Sequence, residues 1–413
     1  MPHTLERSGN LAVETTDYCN QRCRYCHQAN PVSPMHGPSR SNAFMSVELF
    51  KVIVDRMAEL GTTFHAFTPS WGGEPLLHPK AAELFRYLFD ANVRSRFFKR
   101  FYMNTNGYYL TEEIATILLD YAAVVEADGL AREMYMTFSL DAVTPSTYSR
   151  IRNVPSSHFH HVLANIDRFL ALRAQRRLRN PLLTYQCVVC EENFDELEQF
   201  LEYWKETLKS LRISYEVVKE VTYFRDRDAI FFRQRDEGRY EEAVRAKLLH
   251  EQAVERLKIA RSTVGDPERP SNVTFGTSEG APNNRDWLKR KKACVQLQDM
   301  LVISKDGTVV PCCKDLFFEL KLGDITTRPL SDLWTGEKRK QLRLEQIQGK
   351  FDNYAVCSHC LNPPGGDLTL GEVVEFLRNV NRLDLLAPYV SRIYGPSFVN
   401  GHCGEVAAAT RAV

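Results

Sequence analysis

Apolar positions in the first half of the chain follow two alternating spacings, which predict strands and helices in turn. Short apolar runs typical of strands begin at Leu11 and Val13 and recur at 63–68, 101–104, 134–140, 182–189 and 213–221. Between them, apolar residues at helical spacing occupy 47–60, 79–91, 111–125, 158–175 and 194–209. Ser46 and Gly61 suit the two ends of the first helix. Six strands alternating with five helices predict an α/β fold with a parallel sheet.

The alternation of predicted strands and helices stops in the middle of the chain. Residues 222–293 combine a highly charged segment of helical spacing with a Pro-, Gly-, Asn- and Ser-rich stretch at 264–284. One interpretation is a solvated helix followed by a connection. The other is a lid over a substrate, because long insertions beside an active-site face are often functional. The sequence leaves both interpretations open.

Charge and composition restrict the classes of partner. The 413 residues carry a formal net charge of +1, and no run of Lys or Arg indicates a nucleic-acid surface. No apolar segment is long enough to span a membrane, and the first residues do not resemble a signal peptide. We therefore predict a cytoplasmic protein with neither a nucleic-acid nor a membrane partner. Because that compartment is reducing, the 11 cysteines favour metal ligation over disulfides.

The segment CNQRCRYC places Cys19, Cys23 and Cys26 on one predicted loop after the first strand. Three thiolates at this spacing can hold three irons of a 4Fe-4S cluster and leave the fourth iron open to a small molecule. The alternatives are buried thiols or part of a zinc site. The open iron–sulfur interpretation is favoured because a fourth zinc ligand is not well placed.

The same segment resembles the signature of the radical S-adenosylmethionine (SAM) superfamily, CxxxCx(aromatic)C, with Tyr25 as the aromatic residue. The resemblance continues at Gly72-Gly73-Glu74-Pro75, Thr105-Asn106-Gly107 and Ser139-Leu140-Asp141, each after a predicted strand. It implies an open, six-stranded partial (β/α)6 barrel of the TIM type. It also implies a set of residues that contact SAM: Tyr25, Gly72, Gly73, Glu74, Asn106, Ser139, Asp141 and Arg152.

A second group of cysteines lies in the last third of the chain. Cys294 precedes Gly307 and Cys312, and a CxxC pair follows at Cys357 and Cys360. Gly307 is a hairpin signal that would bring the first two thiols together. Four thiolates suit either a saturated 4Fe-4S cluster or a zinc ribbon. The neighbouring Cys313 is an alternative ligand to Cys312, although its spacing from Gly307 is less suitable.

The text around these cysteines, KDGTVVPCC with LGDI and SDLW, is similar to the auxiliary-cluster domains called SPASM and, in their shorter form, twitch. After Cys360 the next thiol is Cys403, so a single auxiliary 4Fe-4S cluster is expected. The predicted regions are a radical SAM partial barrel at 1–221, a helical insertion and linker at 222–293, the SPASM/twitch domain at 294–365 and a helical extension at 366–413.

The resemblance implies reductive cleavage of SAM to a 5′-deoxyadenosyl radical, which abstracts a hydrogen atom from a substrate. A flavodoxin or ferredoxin is the implied electron donor. The spacing of Cys294, Cys312, Cys357 and Cys360 is similar to that of an aminocyclitol dehydrogenase in butirosin biosynthesis. We predict an oxidoreductase or lyase of natural-product biosynthesis that acts on a sugar, aminocyclitol or nucleoside.

Two other functions remain open at this point. Many SPASM enzymes modify ribosomally made peptides, but only 18 residues precede Cys19, too few for a folded leader-binding domain. A non-catalytic iron–sulfur electron carrier is the third possibility. Cys190, at the end of the fifth predicted strand, is a candidate hydrogen-atom donor to the substrate radical.

Overall fold

The computed structural model describes residues 9–26, 41–128, 133–219, 225–235, 240–259, 286–360 and 366–395. The strands are β1 Asn10–Val13, β2 Phe64–Thr68, β3 Phe98–Thr105, β4 Glu133–Ser139, β5 Leu182–Val189, β6 Tyr215–Val218, β7 Asp228–Gln234, β8 Met300–Ile303, β9 Thr308–Val310 and β10 Gly323–Asp324. The helices are α1 Val47–Glu59, α2 Ala81–Ser95, α3 Glu112–Ala127, α4 Pro145–Arg152, α5 Ser157–Gln175, α6 Leu197–Ser210, α7 Tyr240–Arg256, α8 Asp286–Lys289, α9 Gln296–Asp299, α10 Leu330–Thr335, α11 Glu337–Ile347, α12 Ala355–Ser358, α13 Leu370–Asn379 and α14 Leu386–Tyr394.

All ten strands form one sheet in the order β10-β9-β8-β1-β2-β3-β4-β5-β7-β6. The eight strands from β8 to β6 pair in parallel. Since α1 to α6 connect the first six strands along the chain, with α4 and α5 both between β4 and β5, the predicted α/β fold with a partial barrel is confirmed. In such a sheet, sites form at the carboxyl ends of the strands.

The two faces of the sheet differ in polarity. Phe101 on β3 packs against Phe85 and Phe89 of α2, with ring centroids 6.2 and 5.1 Å apart. Because successive side chains on a strand point to opposite faces, Tyr102 lies on the inner face. There it stacks on Tyr135 of β4 at 4.9 Å. Helices therefore cover the outer face, and polar and aromatic side chains line the inner one.

Strand β7 is not predicted from the sequence, where its residues have the character of the start of a helical insertion. It lies between β5 and β6, so the predicted sixth strand is at the edge of the sheet and not beside β5. Asp228 at its start is buried. Its carboxylate forms an ion pair with Arg173 of α5 at 2.7 Å and accepts a hydrogen bond from the Leu183 backbone N–H at 3.0 Å. Charged residues on both sides of β7 made the segment unlike a strand in the sequence, and the tertiary ion pair of Asp228 with Arg173 fixes its position in the sheet. The helical part of the prediction is confirmed by α7, and residues 260–285 lie outside the described ranges.

The region of the second cysteine group continues the same sheet. Strand β8 pairs in parallel with β1 across four residues, and β8 and β9 form the predicted hairpin. Gly307 turns this hairpin with a φ of +88°, a backbone conformation that favours glycine. The first cysteine group thus follows β1, and Cys312 of the second group follows the hairpin whose strand β8 is paired with β1.

The predicted helical extension at 366–413 is represented by α13 and α14. Thr369 begins α13 with a reciprocal capping box that includes Glu372. The two helices pack with α11 around Val373, Leu377 and Val390. Residues 396–413, with Cys403, lie outside the described part of the chain. Among the described helices, none has the length and apolar character needed to cross a bilayer.

Candidate active site

The first cysteine group occupies the loop that follows β1. Cys23 is buried, and Cys19 and Cys26 are partly exposed. The Cys26 N–H donates to the Cys23 carbonyl at 3.0 Å, which closes a turn between these two cysteines. The backbone N–H groups of Arg22 and Arg24 donate to the carbonyls of Arg152 and Ile151, at the end of α4. Helix α4 therefore holds the loop that carries the three thiols.

The Gly-Gly-Glu-Pro turn after β2 packs directly against this loop. The Glu74 N–H donates to the Tyr18 carbonyl at 2.9 Å. A Cβ atom at Gly73 would lie 2.3 Å from the Thr16 carbonyl oxygen and 2.6 Å from that of Tyr18. Glycine at position 73 is thus required by the contact of the turn with the cysteine loop, a reason that the sequence did not reveal.

The Glu74 carboxylate joins this turn to the end of β3. It accepts from Thr105 Oγ1 at 2.7 Å, the Asn106 N–H at 2.8 Å and the Leu76 N–H at 3.1 Å. Burial raises the pKa of Glu74 above its usual range, and these hydrogen bonds only partly oppose the effect. Through these three hydrogen bonds Glu74 holds the two turns together, and its contact with SAM stays a prediction.

Asn106 extends the network to the first cysteine. Its Nδ2 donates to Asn20 Oδ1 at 2.8 Å and lies 3.8 Å from Cys19 Sγ. Its Oδ1 accepts from the Tyr108 N–H at 3.0 Å. The predicted site residue Asn106 therefore reaches a predicted metal ligand through a side-chain contact.

Three further predicted residues meet on the other side of the loop. The Tyr25 hydroxyl donates to Asp141 Oδ2, and Arg152 forms an ion pair with the same carboxylate at 2.5 Å. Arg152 Nη1 also lies 3.4 Å from Cys23 Sγ. Asp141 is fully buried, and its Oδ1 accepts from the Val188 N–H at 2.8 Å. This network ties the cysteine loop to the ends of β4 and β5.

Charge and burial set the protonation of the loop thiols. Burial, with the nearby Glu74 carboxylate, raises the pKa of the Cys19 thiol to about 12. Burial also raises the pKa of Cys23, although the Arg152 guanidinium opposes it. Metal ligands of this kind bind as thiolates, so assembly of a cluster here must release protons.

The remaining predicted residues are less closely connected to the loop. Gly72 donates its N–H to Glu14 Oε1 at 3.2 Å. Ser139 is half-buried at the carboxyl end of β4, in register with Gln186 of β5. Cys190 is buried, and its thiol donates to the Glu192 carboxylate. The hydrogen-donor role of Cys190 stays a prediction.

The second cysteine group converges from three separate segments. Cys294 precedes α9, Cys312 follows β9, and Cys357 and Cys360 lie in and after α12. Burial and the neighbouring Cys312 and Cys360 raise the pKa of Cys294 to about 11. The pKa of Cys357 is raised by burial and by Cys294 and Cys312. The four predicted ligands are therefore close enough to interact electrostatically.

Cys313 also lies at this group. The Cys312 thiol donates to Cys313, which lowers the pKa of Cys313 and raises that of Cys312. The Cys313 carbonyl accepts from Trp71 Nε1 at 2.7 Å. Trp71 directly precedes Gly72, so one indole joins the second cysteine group to the Gly-Gly-Glu-Pro turn.

The family comparisons agree with this division into two cysteine groups. Residues 13–203 match the radical SAM superfamily, and residues 294–361 match SPASM, an iron–sulfur cluster-binding domain. The chain therefore contains a radical SAM domain and a SPASM domain. The first match spans the three-cysteine loop and the turns after β2, β3 and β4, and the second begins at Cys294 and includes Cys360.

Among its relatives, the radical SAM chain is 24% identical to the AdoMet-dependent heme synthase of Methanosarcina barkeri over 363 residues, 85% of this chain and 90% of the relative. It is 26% identical to the GTP 3′,8-cyclase of Synechococcus elongatus over 203 residues, and this match spans only about half of either protein, 49% and 53%. Among solved structures, anSMEcpe with bound AdoMet is 15% identical with 97% of both chains covered and a TM-score of 0.48. BtrN in complex with AdoMet and 2-DOIA is 14% identical with 86% and 92% covered and a TM-score of 0.42.

The radical SAM and SPASM domains imply a SAM-binding 4Fe-4S cluster and an auxiliary cluster. The residues present fit the first group, because Cys19, Cys23 and Cys26 supply three thiols on one loop and the Asn20 amide nitrogen is buried without a hydrogen-bond partner among the described residues. Cys294, Cys312, Cys357 and Cys360 supply four thiols for the second. In the described ranges, no group of three or more His, Cys, Asp or Glu side chains is arranged to hold a single metal ion.

Sequence reasoning missed several residues that shape the two sites. Glu14 bridges the Gly72 N–H and, at 3.5 Å, the Lys305 N–H of the β8–β9 hairpin. Lys291 and Gln346 contact the second cysteine group. Glu14 could have been predicted as a site residue, because it is an acidic residue directly after a buried strand. Lys291 and Gln346 could not have been predicted, because their contacts arise only from tertiary packing.

Proposed function

We propose that this radical SAM/SPASM enzyme oxidises a polar small molecule, such as a sugar, aminocyclitol or nucleoside, in natural-product biosynthesis. The observation that carries the SAM-dependent part is the contact of the three-cysteine loop with the Gly-Gly-Glu-Pro turn, through Gly73 and the Glu74 N–H. When bound there, SAM and its cluster would supply a 5′-deoxyadenosyl radical that removes a hydrogen atom from an unactivated carbon.

The side chains on the inner face of the sheet support the proposal that the substrate is polar. Asn104, Thr137 and Ser139 point to this face near the carboxyl ends of β3 and β4, by the same alternation that places Tyr102 there. Gln186 of β5 lies beside Ser139 in register. Hydroxyl and amide groups at the end of the sheet that carries the SAM motifs can hydrogen-bond a substrate rich in hydroxyl or amino groups.

The names of the sequence relatives also favour a small molecule, since heme and GTP are small molecules. For oxidation of a secondary alcohol, the substrate would lose one hydrogen atom to the radical, and then a proton to solvent and an electron to the auxiliary cluster. The product is a ketone. The fully thiol-ligated auxiliary site supports electron acceptance, because four cysteine ligands leave no iron open to substrate.

A substrate-labelling experiment tests this proposal. The anaerobically reconstituted enzyme is reduced with dithionite and incubated with SAM and, in turn, a deuterated aminocyclitol, sugar, nucleoside or peptide. We expect deuterium in 5′-deoxyadenosine, together with an oxidised product, for one of the small molecules. Label transfer from peptides alone would overturn the substrate class. Absence of 5′-deoxyadenosine under all conditions would favour a non-catalytic electron carrier.

We further propose a flavodoxin or ferredoxin in the reducing cytoplasm as the physiological electron donor, because SAM cleavage needs low-potential electrons. Reduced flavodoxin or ferredoxin should replace dithionite in the same assay. An enzyme that turns over with dithionite but with neither protein would contradict this assignment and leave the substrate result unaffected.

A further inference from the structure

Two polar side chains outside the cysteine motifs contact the auxiliary cysteines. Lys291 Nζ donates to the carbonyl of Cys357 at 2.5 Å and to that of Cys360 at 2.7 Å. Gln346 of α11 donates through Nε2 to Cys357 Sγ at 3.7 Å, and its Oε1 accepts from the Cys294 N–H at 3.0 Å. Together they contact three of the four predicted ligands, Lys291 from the connection between α8 and α9 and Gln346 from α11.

Both side chains are held in place by the surrounding structure. Gln346 is buried, with 6% of its surface exposed. Lys291 is half-buried, and its ammonium lies 5.1 Å from the centre of the Phe351 ring. Arg392 of α14 donates to the Lys291 carbonyl at 2.7 Å and to the Gln346 carbonyl at 3.4 Å. The C-terminal helices therefore fix the backbone of both residues beside the thiols.

A positive charge and an N–H donor at a sulfur ligand both stabilise the more negatively charged, reduced state of a cluster. We propose that Lys291 and Gln346 are positioning residues that raise the reduction potential of the auxiliary cluster, so that it accepts the electron released by the substrate. Only the statement that the auxiliary cluster accepts the electron released by the substrate rests on the proposed function. The effect on the potential follows from the contacts alone and requires no substrate.

The test is a redox titration of the full-length, anaerobically reconstituted chain, monitored by electron paramagnetic resonance. A Cys23→Ala background assigns the auxiliary signal. We expect Lys291→Met and Gln346→Met each to disfavour reduction of the auxiliary cluster at least tenfold, a shift of about 59 mV to more negative potential. Lys291→Arg keeps the charge and should keep the potential. The signal of the SAM-binding cluster should not move in any of these variants.

Matched controls come from the exposed side of α11. Lys338→Met and Gln341→Met change the same residue types and should leave both potentials unchanged. Unchanged potentials in Lys291→Met and Gln346→Met, with full iron content, would overturn the proposal. Loss of the auxiliary irons from both Met variants would also overturn it, because the residues would then build the site and not tune it. A wild-type chain with two clusters but no oxidised product would contradict only the proposed function.

Discussion

A buried charge network holds the cysteine loop at the level of single residues. Asp141 is fully buried and Arg152 has 4% of its surface exposed, and their ion pair lies next to Cys23. Burial alone would lower the pKa of Arg152, but the Asp141 carboxylate, together with the neighbouring Tyr25, Cys23 and Tyr148, raises this pKa well above its usual value. Removing one partner of such a pair leaves the other charged and unpaired, which costs far more than the pair contributes in net terms.

We therefore expect Asp141→Asn to lower the free energy of unfolding by about 3–5 kcal/mol. Asparagine keeps the size of the side chain and tolerates the left-handed φ of +65° at this position, so loss of charge is the main change. Urea denaturation measures the effect. The exposed pair Arg176–Asp120 provides the control, since Asp120→Asn should change stability by at most about 1 kcal/mol. Equal effects of the two substitutions would contradict the role of the buried network.

His78 gives a pH dependence with a defined sign. Burial lowers the pKa of His78 from its usual value of 6.5, and its ring bonds the Met45 carbonyl at 2.9 Å and the Lys80 N–H at 3.0 Å. Between the folded pKa and 6.5, the unfolded chain binds more protons. Stability contributed by neutral His78 is therefore present above pH 6.5 and decreases as the pH falls below it.

The measurement compares the free energy of unfolding between pH 7 and 5.5 in the wild type and in His78→Gln. We expect the variant to lose part of the pH slope, up to about 1.4 kcal/mol per pH unit. His160 is exposed on α5, and His160→Gln should retain the wild-type slope. A slope that is identical in all three proteins would show that His78 does not contribute.

At the scale of elements, two turns and one loop fit together at the candidate site. Glu74 joins the turn after β2 to the turn after β3, and Gly73 allows the first turn to touch the cysteine loop. A Cβ at position 73 would collide with backbone oxygens, which cannot move away as a flexible side chain can. The geometry of the site thus depends on a backbone contact as much as on its side chains.

Substitution Gly73→Ala should displace the turn and lower the rate of 5′-deoxyadenosine formation by about a hundredfold, the typical cost of a displacement of about 1 Å at a reacting centre. The rate is measured with dithionite as reductant. A Cβ added at Gly371 in α13 would have no atom within 4 Å, so Gly371→Ala should keep full activity and add about 0.5–1 kcal/mol of stability. Normal activity of Gly73→Ala would contradict the packing argument.

The same scale shows what the sequence could and could not reveal. Strand β5 was predicted with its observed bounds, and Ser46 does cap α1, because both depend on local spacing and capping. The Gly307 hairpin was also predicted from its turn residue. Strand β7 was not, because its place beside β5 depends on the ion pair of Asp228 with Arg173, a contact between residues distant in sequence.

For the site, the cysteines and the turns were recognisable as motifs, but their connections were not. The contact of Trp71 with Cys313 joins positions 242 residues apart, and no local pattern predicts such a bond. The contact of Glu74 with SAM stays a prediction, and no motif indicated the hydrogen bonds of its carboxylate with Thr105, Asn106 and Leu76. The motifs predicted which residues belong to the site, and tertiary packing determines which side chains contact one another.

At the scale of the whole molecule, one sheet carries both cysteine groups. The pairing of β8 with β1 places the auxiliary hairpin beside the strand that leads into the SAM loop, and Glu14 and Trp71 bridge the two. Such continuity keeps the relative position of two redox centres constant. It does not require that one centre be assembled before the other, since the two cysteine groups share no ligand.

Independent assembly leads to a prediction about iron content. The reconstituted chain should bind about eight iron atoms, and Cys294→Ala or Cys312→Ala should lower this number to about four without abolishing SAM cleavage. Cys312 interacts electrostatically with Cys294 and Cys357, whereas the interactions of Cys313 are with Cys312 and Cys360. This pattern favours Cys312 as the ligand.

Cys313→Ala is therefore the matched control and should retain all the iron, because its neighbour supplies the fourth thiolate. Iron and sulfide analysis of anaerobic samples, with the yield of 5′-deoxyadenosine from the same preparations, measures both properties at once. Loss of iron in Cys313→Ala but not in Cys312→Ala would transfer the ligand role to Cys313. Loss of SAM cleavage in Cys294→Ala at full loading of the first cluster would show that the two centres, although joined through one sheet, do not function independently.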